Sequence, residues 1–149
     1  MSFLSTPGTG ESINYGGQRM ELMTGPAGAA AAGFAMARMT LPPRYRGPVP
    51  HAHDEFDEAI LVVAGRLMVL ADRTEEVAEP GALLMAPRGQ RHGFANPFDE
   101  PVEVLTLWSP GELGIRFMIE RGEVITDDSP PDPDAMAEFY ARHASRLLP

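Results

Sequence analysis

At 149 residues with a formal net charge of -9, the chain has the size of one compact domain and a charge that disfavours a polyanionic partner. Its arginines (Arg38, Arg44, Arg46, Arg66, Arg73, Arg88 and Arg91 among them) form no dense basic block, so nucleic acid is not expected. Cysteine is absent, which excludes disulfides and thiolate metal sites, and neither a membrane-spanning run nor a basic-then-apolar leader is present, so a cytoplasmic protein without membrane contact is expected.

Fifteen glycines and fifteen prolines punctuate short apolar runs, the texture of many brief strands and tight turns. Residues 1–12, rich in Ser, Thr, Gly and Pro, read as a weakly ordered segment. Residues 19–23 and 34–39 flank a Gly-Pro-Ala-Gly turn and predict a hairpin; the four alanines at 29–32, confined between Gly28 and Gly33, read as loop or strand entry despite their helix propensity. Strands are predicted at 59–63, 66–70, 82–86 and 102–108, with turns between them at Gly65, Gly81 and Gly89 among others. Short strands so spaced predict an antiparallel sandwich or barrel, an all-β fold, and not a βαβ arrangement.

After Pro110, the residues Leu113, Phe117 and Glu120 suit one helix face, and 115–119 equally suits a strand. The acidic, proline-rich stretch 126–134 reads as a linker. A C-terminal helix is then predicted with Asp132 as N-cap and Pro133 at its first position, its apolar face being Met136, Phe139, Tyr140 and Leu147, with Arg142 and Arg146 near its end favouring the dipole. The expected organisation is thus a flexible segment 1–12, a β-barrel over 13–121, and linker plus helix over 122–149.

Of the four histidines, His51 and His53 are separated by one residue, which on an extended strand puts both imidazoles on one face. Glu58 follows, and a bend at 54–57 would return its carboxylate toward the pair; His92 follows a turn at 87–89. Three imidazoles and a carboxylate suit one divalent transition metal, Fe, Ni, Co, Mn, Cu or Zn. Taken alone, the His pair also fits core or surface histidines, and Glu55 or Asp57 competes with Glu58. His143, at helical spacing from Phe139 and Tyr140, reads as structural or exposed.

The same residues resemble the two motifs of the cupins. The first stands as His51-Ala52-His53, four residues, Glu58, six residues, Gly65; the second as Gly81, five residues, Pro87, one residue, Gly89, two residues, His92, three residues, Asn96. One motif glycine is missing, its place taken by Tyr45 with Gly47 nearby. The resemblance spans roughly residues 40–111 and implies a cupin-type double-stranded β-helix, a jelly-roll barrel, with His51, His53, Glu58 and His92 on one metal, and a homodimer. Less specifically, the Asp57-Glu58 step, the short spacer from Gly65 to Gly81 and the helical tail resemble single-cupin proteins similar to quercetin 2,3-dioxygenase. That likeness implies a metal-dependent dioxygenase of small aromatic or enolic substrates, with Glu58 doubling as catalytic base. The alternatives are a non-redox isomerase, lyase or cyclase, and a non-enzymatic binding module.

Strand parity makes Ile60, Val62 and Phe94 candidates for the cavity wall, with Thr106 and Trp108 beside them and Met20, Phe34, Met36, Phe56 and Phe117 as further candidates.

Overall fold

A computed structural model describes residues 4–125 and 131–149. In chain order its elements are β1 (Ser12–Tyr15), β2 (Gln18–Leu22), α1 (Pro26–Ala32), β3 (Ala35–Leu41), β4 (His51–His53), β5 (Asp57–Ala64) and β6 (Leu67–Ala71). There follow β7 (Thr74–Ala78), β8 (Leu83–Ala86), β9 (His92–Ala95), β10 (Val102–Ser109), α2 (Gly111–Val124), α3 (Pro133–Arg142) and β11 (Ser145–Leu147). A six-stranded sheet in the order β1-β2-β3-β10-β5-β8 faces a five-stranded sheet in the order β11-β4-β9-β6-β7. Every strand pairing among the described residues is antiparallel. This is the jelly roll with a C-terminal helix that the strand pattern and the motif resemblance predict.

Period-two alternation decides which side chains enter the core. On β3, Ala35, Ala37, Met39 and Leu41 point inward, and on the neighbouring β10 Val102, Val104, Thr106 and Trp108 do the same. Glu58, Ile60 and Val62 are the inward set of β5, so one polar ligand stands at the end of an apolar row. The turns between strands need a left-handed backbone at Gly65, Gly81 and Gly89, with φ of 80, 93 and 75°.

Three local expectations change. The alanines at 29–32 belong to helix α1: Pro26 starts it, Gly33 ends it at φ 75°, and the Gly33 N–H donates to the Ala29 carbonyl at 3.0 Å. Alanine propensity and a left-handed glycine cap outweigh the internal Gly28. Residues 19–23 and 34–39 do pair, as β2 on β3, but across this helix instead of a tight turn. The ambiguous stretch after Pro110 is helix α2, whose face of Gly111, Gly114, Ile115, Phe117, Met118 and Arg121 is buried. It continues through Val124, past the expected domain boundary at 121.

Helix α3 starts as predicted, with Asp132 accepting from the Asp134 N–H at 3.0 Å and Pro133 next. It stops at Arg142, however, and Arg146 and Leu147 lie on β11, paired with β4. Arg146 therefore serves an ion pair with Asp54, at 2.9 Å, and not the helix dipole. Of the expected linker, residues 126–130 lie outside the described residues. Residues 1–3 of the N-terminal segment lie outside them as well, while the amides of Gly8 and Gly10 donate to Glu21 Oε1 at 2.6 and 3.0 Å. No helix among the described residues is long and apolar enough to cross a membrane.

Candidate metal centre

Strand β4 presents His51 and His53, its neighbour β9 presents His92 opposite His51, and β5 brings Glu58 from the facing sheet. All four are buried, and one ligand atom from each lies within 4.8 Å of the others. The rival acids are accounted for: Asp54 pairs with Arg146, Asp57 accepts from the Arg88 amide at 2.9 Å, and Glu55 is exposed.

Hydrogen bonds settle which nitrogen each histidine offers. His51 Nδ1 donates to the Val49 carbonyl at 2.8 Å and His92 Nδ1 to the Gln90 carbonyl at 3.0 Å. Ser145 Oγ donates to the His143 carbonyl at 3.0 Å and so accepts from His53 Nδ1 at 2.8 Å. With every Nδ1 occupied as a donor, each Nε2 is turned to the centre: His51 and His53 offer theirs as a bare nitrogen, the tautomer a metal ligand requires, while His92 must first give up the proton it shares with Glu58. Glu58 is held from two sides: Trp108 Nε1 donates to Oε1 at 3.0 Å, and His92 Nε2 donates to Oε2 at 2.8 Å.

Burial by itself would raise the Glu58 carboxyl, but the hydrogen bond and charge of His92, with those of His53 and His51, hold it down at about 2. Burial lowers His53 to about 4, against the pull of Glu58, and lowers His51 well below the ordinary imidazole value. For His92 burial is the largest influence and acts downward, yet the hydrogen bond and charge of Glu58 overcome it and the ring is raised. The two lowered rings favour their neutral form, and His92, with an acceptor on each ring nitrogen, favours its protonated form beside the Glu58 carboxylate. Their nitrogen and oxygen donors, already oriented and deprotonated or paired with a carboxylate, fit a divalent transition metal.

Phe56 stacks on His53 with ring centroids 4.2 Å apart, and Phe117 meets the same ring edge-on at 4.7 Å. The cavity beside the ligands is about 20 Å³ and is lined by Gln18, Met39, Pro48, Phe94, Phe117, Met118, Arg121 and Tyr140 together with His51, His53 and Glu58. It abuts an outer cleft of about 570 Å³, and Pro48, Arg121 and Tyr140 border both.

Of the residues expected to line the cavity, Phe94 and Phe117 do so, and Phe56 and Trp108 reach its ligands instead. Ile60 and Val62 share the face of Glu58 but belong to the hydrophobic core, as does Met20. Thr106 is buried against Met39 Sδ at 3.2 Å. Phe34 is 41% exposed, and Met36 lies on the outward face of β3. His143 stands outside the cluster and meets Glu120 Oε2 at 2.7 Å. Gln18, Met39, Pro48, Met118 and Arg121 carried no signal of a site in the sequence. The motif's Asn96 is a loop clamp, donating to the carbonyls of Pro42 and Glu100 at 2.9 and 2.7 Å. Gly47 supplies the close approach, since a Cβ there would come within 1.7 Å of the Phe94 carbonyl oxygen.

Residues 37–108 match the family model described as the cupin domain. Among solved structures, an RmlC-like cupin from Shewanella frigidimarina aligns with a TM-score of 0.64 at 18% identity, covering 77% of this chain and 96% of that one. The polyketide cyclase RemF from Streptomyces resistomycificus aligns with a TM-score of 0.63 at 19% identity, covering 74% of this chain and 80% of that one. At such identities the likeness shows the fold, and the chain has a cupin fold. Among curated proteins, the endoribonuclease YbeY of Myxococcus xanthus is 31% identical over 80 residues, covering 54% of this chain. The match spans 26%, about a quarter, of that relative's length.

Proposed function

We propose that the chain is a metal-dependent enzyme of small molecules, with oxygen-dependent cleavage of an enolic or flavonol-like substrate as its first reading. The observation that carries the metal reading is the shared orientation of His51, His53 and His92, each with Nδ1 spent on an acceptor and Nε2 turned to the centre beside Glu58. A divalent ion held by these rings and Glu58 would supply Lewis acidity, lowering the pKa of an enol or hydroxyl placed against it.

The chain's own residues then divide the work. Glu58, with both oxygens engaged and its carboxyl held at about 2, suits a ligand better than a proton-accepting base. Phe56 and Phe117 close around His53 and keep water from the ligand shell. A cavity of about 20 Å³ has room for little more than a water-sized group. Only the reacting oxygens of a substrate would reach it, and the body would lie in the outer cleft, walled by Pro42, Pro43, Pro48, Met136 and Tyr140.

A non-redox reading, as isomerase, lyase or cyclase, draws on the same donor set, since imidazoles and a carboxylate also bind zinc. The experiment is reconstitution with Fe, Ni, Co, Mn, Cu or Zn in turn, followed by oxygen uptake with flavonols and other polyphenols. Uptake with a redox metal supports the first reading. Turnover with zinc and without oxygen replaces it with the second. Less than a tenth of an equivalent of bound metal removes both.

A further inference from the structure

We infer that Gln18 is the hydrogen-bond donor that receives the reacting oxygen of a substrate at the metal centre. It selects substrates by the acceptor they place there: an enolate, phenolate or carbonyl oxygen. This rests on the reading of the cluster as a metal centre and adds to it the residue that chooses which atom sits beside the ligands.

The first observation is position. Strand β2 turns Gln18, Met20 and Leu22 inward by period-two alternation, and Met20 and Leu22 belong to the hydrophobic core. Gln18 is the polar exception at the end of that row, as Glu58 is on β5, and both line the inner cavity with His51 and His53. Burying a carboxamide in such a row is unfavourable unless both of its ends find hydrogen bonds.

The second is that one end has a partner and the other has none. The Tyr45 hydroxyl donates to Gln18 Oε1 at 2.7 Å, while the buried Nε2 has no hydrogen-bond partner among the described residues. Tyr45 borders the outer cleft and not the inner cavity, so this bond engages the outward end of the amide and leaves Nε2 to the inner space. Arg121 and Tyr140 border the same space and have partners of their own.

The third is size. At about 20 Å³ the inner cavity holds one water-sized group, so an atom seated there meets the ligand cluster and Gln18 together. The amide therefore acts on the reacting atom and not on the body of a substrate in the outer cleft. A fixed N–H facing a small, enclosed space stabilises negative charge that develops on an oxygen, as in an oxyanion hole. An atom with no lone pair to spare leaves Nε2 unsatisfied and is disfavoured.

The test uses the full chain, loaded with zinc or cobalt, and two probes that fit the inner space. Fluoride keeps lone pairs when it binds a metal, and ammonia keeps none. In the zinc-loaded, 15N-labelled protein, fluoride should shift a Gln18 side-chain amide proton downfield and split it by coupling to 19F, and ammonia should do neither. In the cobalt-loaded protein, visible absorption reads the affinity for each probe. Gln18→Met should weaken fluoride by about tenfold or more, as for loss of a hydrogen bond to a charged acceptor, and ammonia by less than about twofold. Thermal melting checks that the variant is folded, and if it is not, the wild-type amide resonances decide. Zinc bound with the Gln18 amide unmoved by fluoride overturns the proposal and leaves the metal reading standing, as does undiminished fluoride affinity in folded Gln18→Met. Less than a tenth of an equivalent of bound zinc removes the metal reading and this proposal with it.

Discussion

Trp108 and Glu58 are cross-strand partners on β10 and β5, and the indole Nε1 donates to Glu58 Oε1 at 3.0 Å. The register of two strands thus sets the orientation of the Glu58 carboxylate in the candidate metal centre. Outer partners of this kind typically change metal affinity by about 10–100-fold when removed. Trp108→Phe is expected to lower zinc affinity by at least about tenfold, measured by chelator competition. It should also cost roughly 1–3 kcal/mol of stability, because Oε1 is left buried without a donor. Trp108 is the only tryptophan, so its fluorescence should change on metal addition to the wild type and report the site directly.

The same indole depends on a glycine in α2. A Cβ at Gly114 would lie 2.2 Å from Trp108 Cβ and 2.4 Å from its Cγ, the rigid root of the side chain and not a flexible end. Gly114→Ala gains about 1 kcal/mol of helix propensity. Overpacking costs typically about 1–3 kcal/mol and here forces the helix off β10. A lower melting temperature is expected together with weaker metal binding, and a variant as stable as the wild type with unchanged affinity would show that the helix is not seated as described.

How far the sequence could be read depended on how local each signal was. His51, His53, Glu58 and His92 were legible because strand period and turn spacing are short-range, and Gly65, Gly81 and Gly89 because their turns demand a left-handed backbone. Parity identified the face of Ile60 and Val62 but not their depth along the strand, so they belong to the core while Glu58 alone meets the centre. Gln18 and Arg121 come from opposite ends of the chain, one on an N-terminal strand and one in a helix whose type the sequence left open. Nothing local marks them. Strand β11 was hidden because Arg146 and Leu147 continue a plausible helical pattern, and only pairing with β4 pulls them into a sheet.

That strand carries a further consequence. Ser145 Oγ accepts from His53 Nδ1 at 2.8 Å while donating to the His143 carbonyl at 3.0 Å, so strand β11 fixes the tautomer of one histidine of the cluster. Ser145→Ala removes the acceptor and leaves a buried ring N–H unsatisfied. Metal affinity is expected to fall by about tenfold with the fold retained, and Ser145→Thr, which keeps a hydroxyl, should recover most of it. Equal affinities in wild type and Ser145→Ala, by the same chelator competition, would show that the serine contributes packing alone.

Protonation gives the last prediction. His92 has Nδ1 on a carbonyl and Nε2 on Glu58 Oε2, so both nitrogens donate and the ring is an imidazolium, in keeping with its raised pKa. His51 and His53 are lowered by burial, His53 to about 4, and are neutral. Metal binding near pH 6 should therefore release one proton, from His92, and affinity should rise about tenfold per pH unit below the pKa of that ring. Calorimetry in buffers of different ionisation enthalpy counts the proton directly; none released would place His92 outside the ligand set. In the metal-free chain the signs oppose. The lowered pair gives stability that is present above about pH 6.5 and is lost as pH falls, because the unfolded chain then binds more protons. His92 gives stability that is present below about 6.5 and is lost as pH rises through its raised value. The melting temperature of the metal-free protein should accordingly peak near pH 6.5, and saturating zinc should move the peak to higher pH by removing the proton on which the His92–Glu58 pair depends.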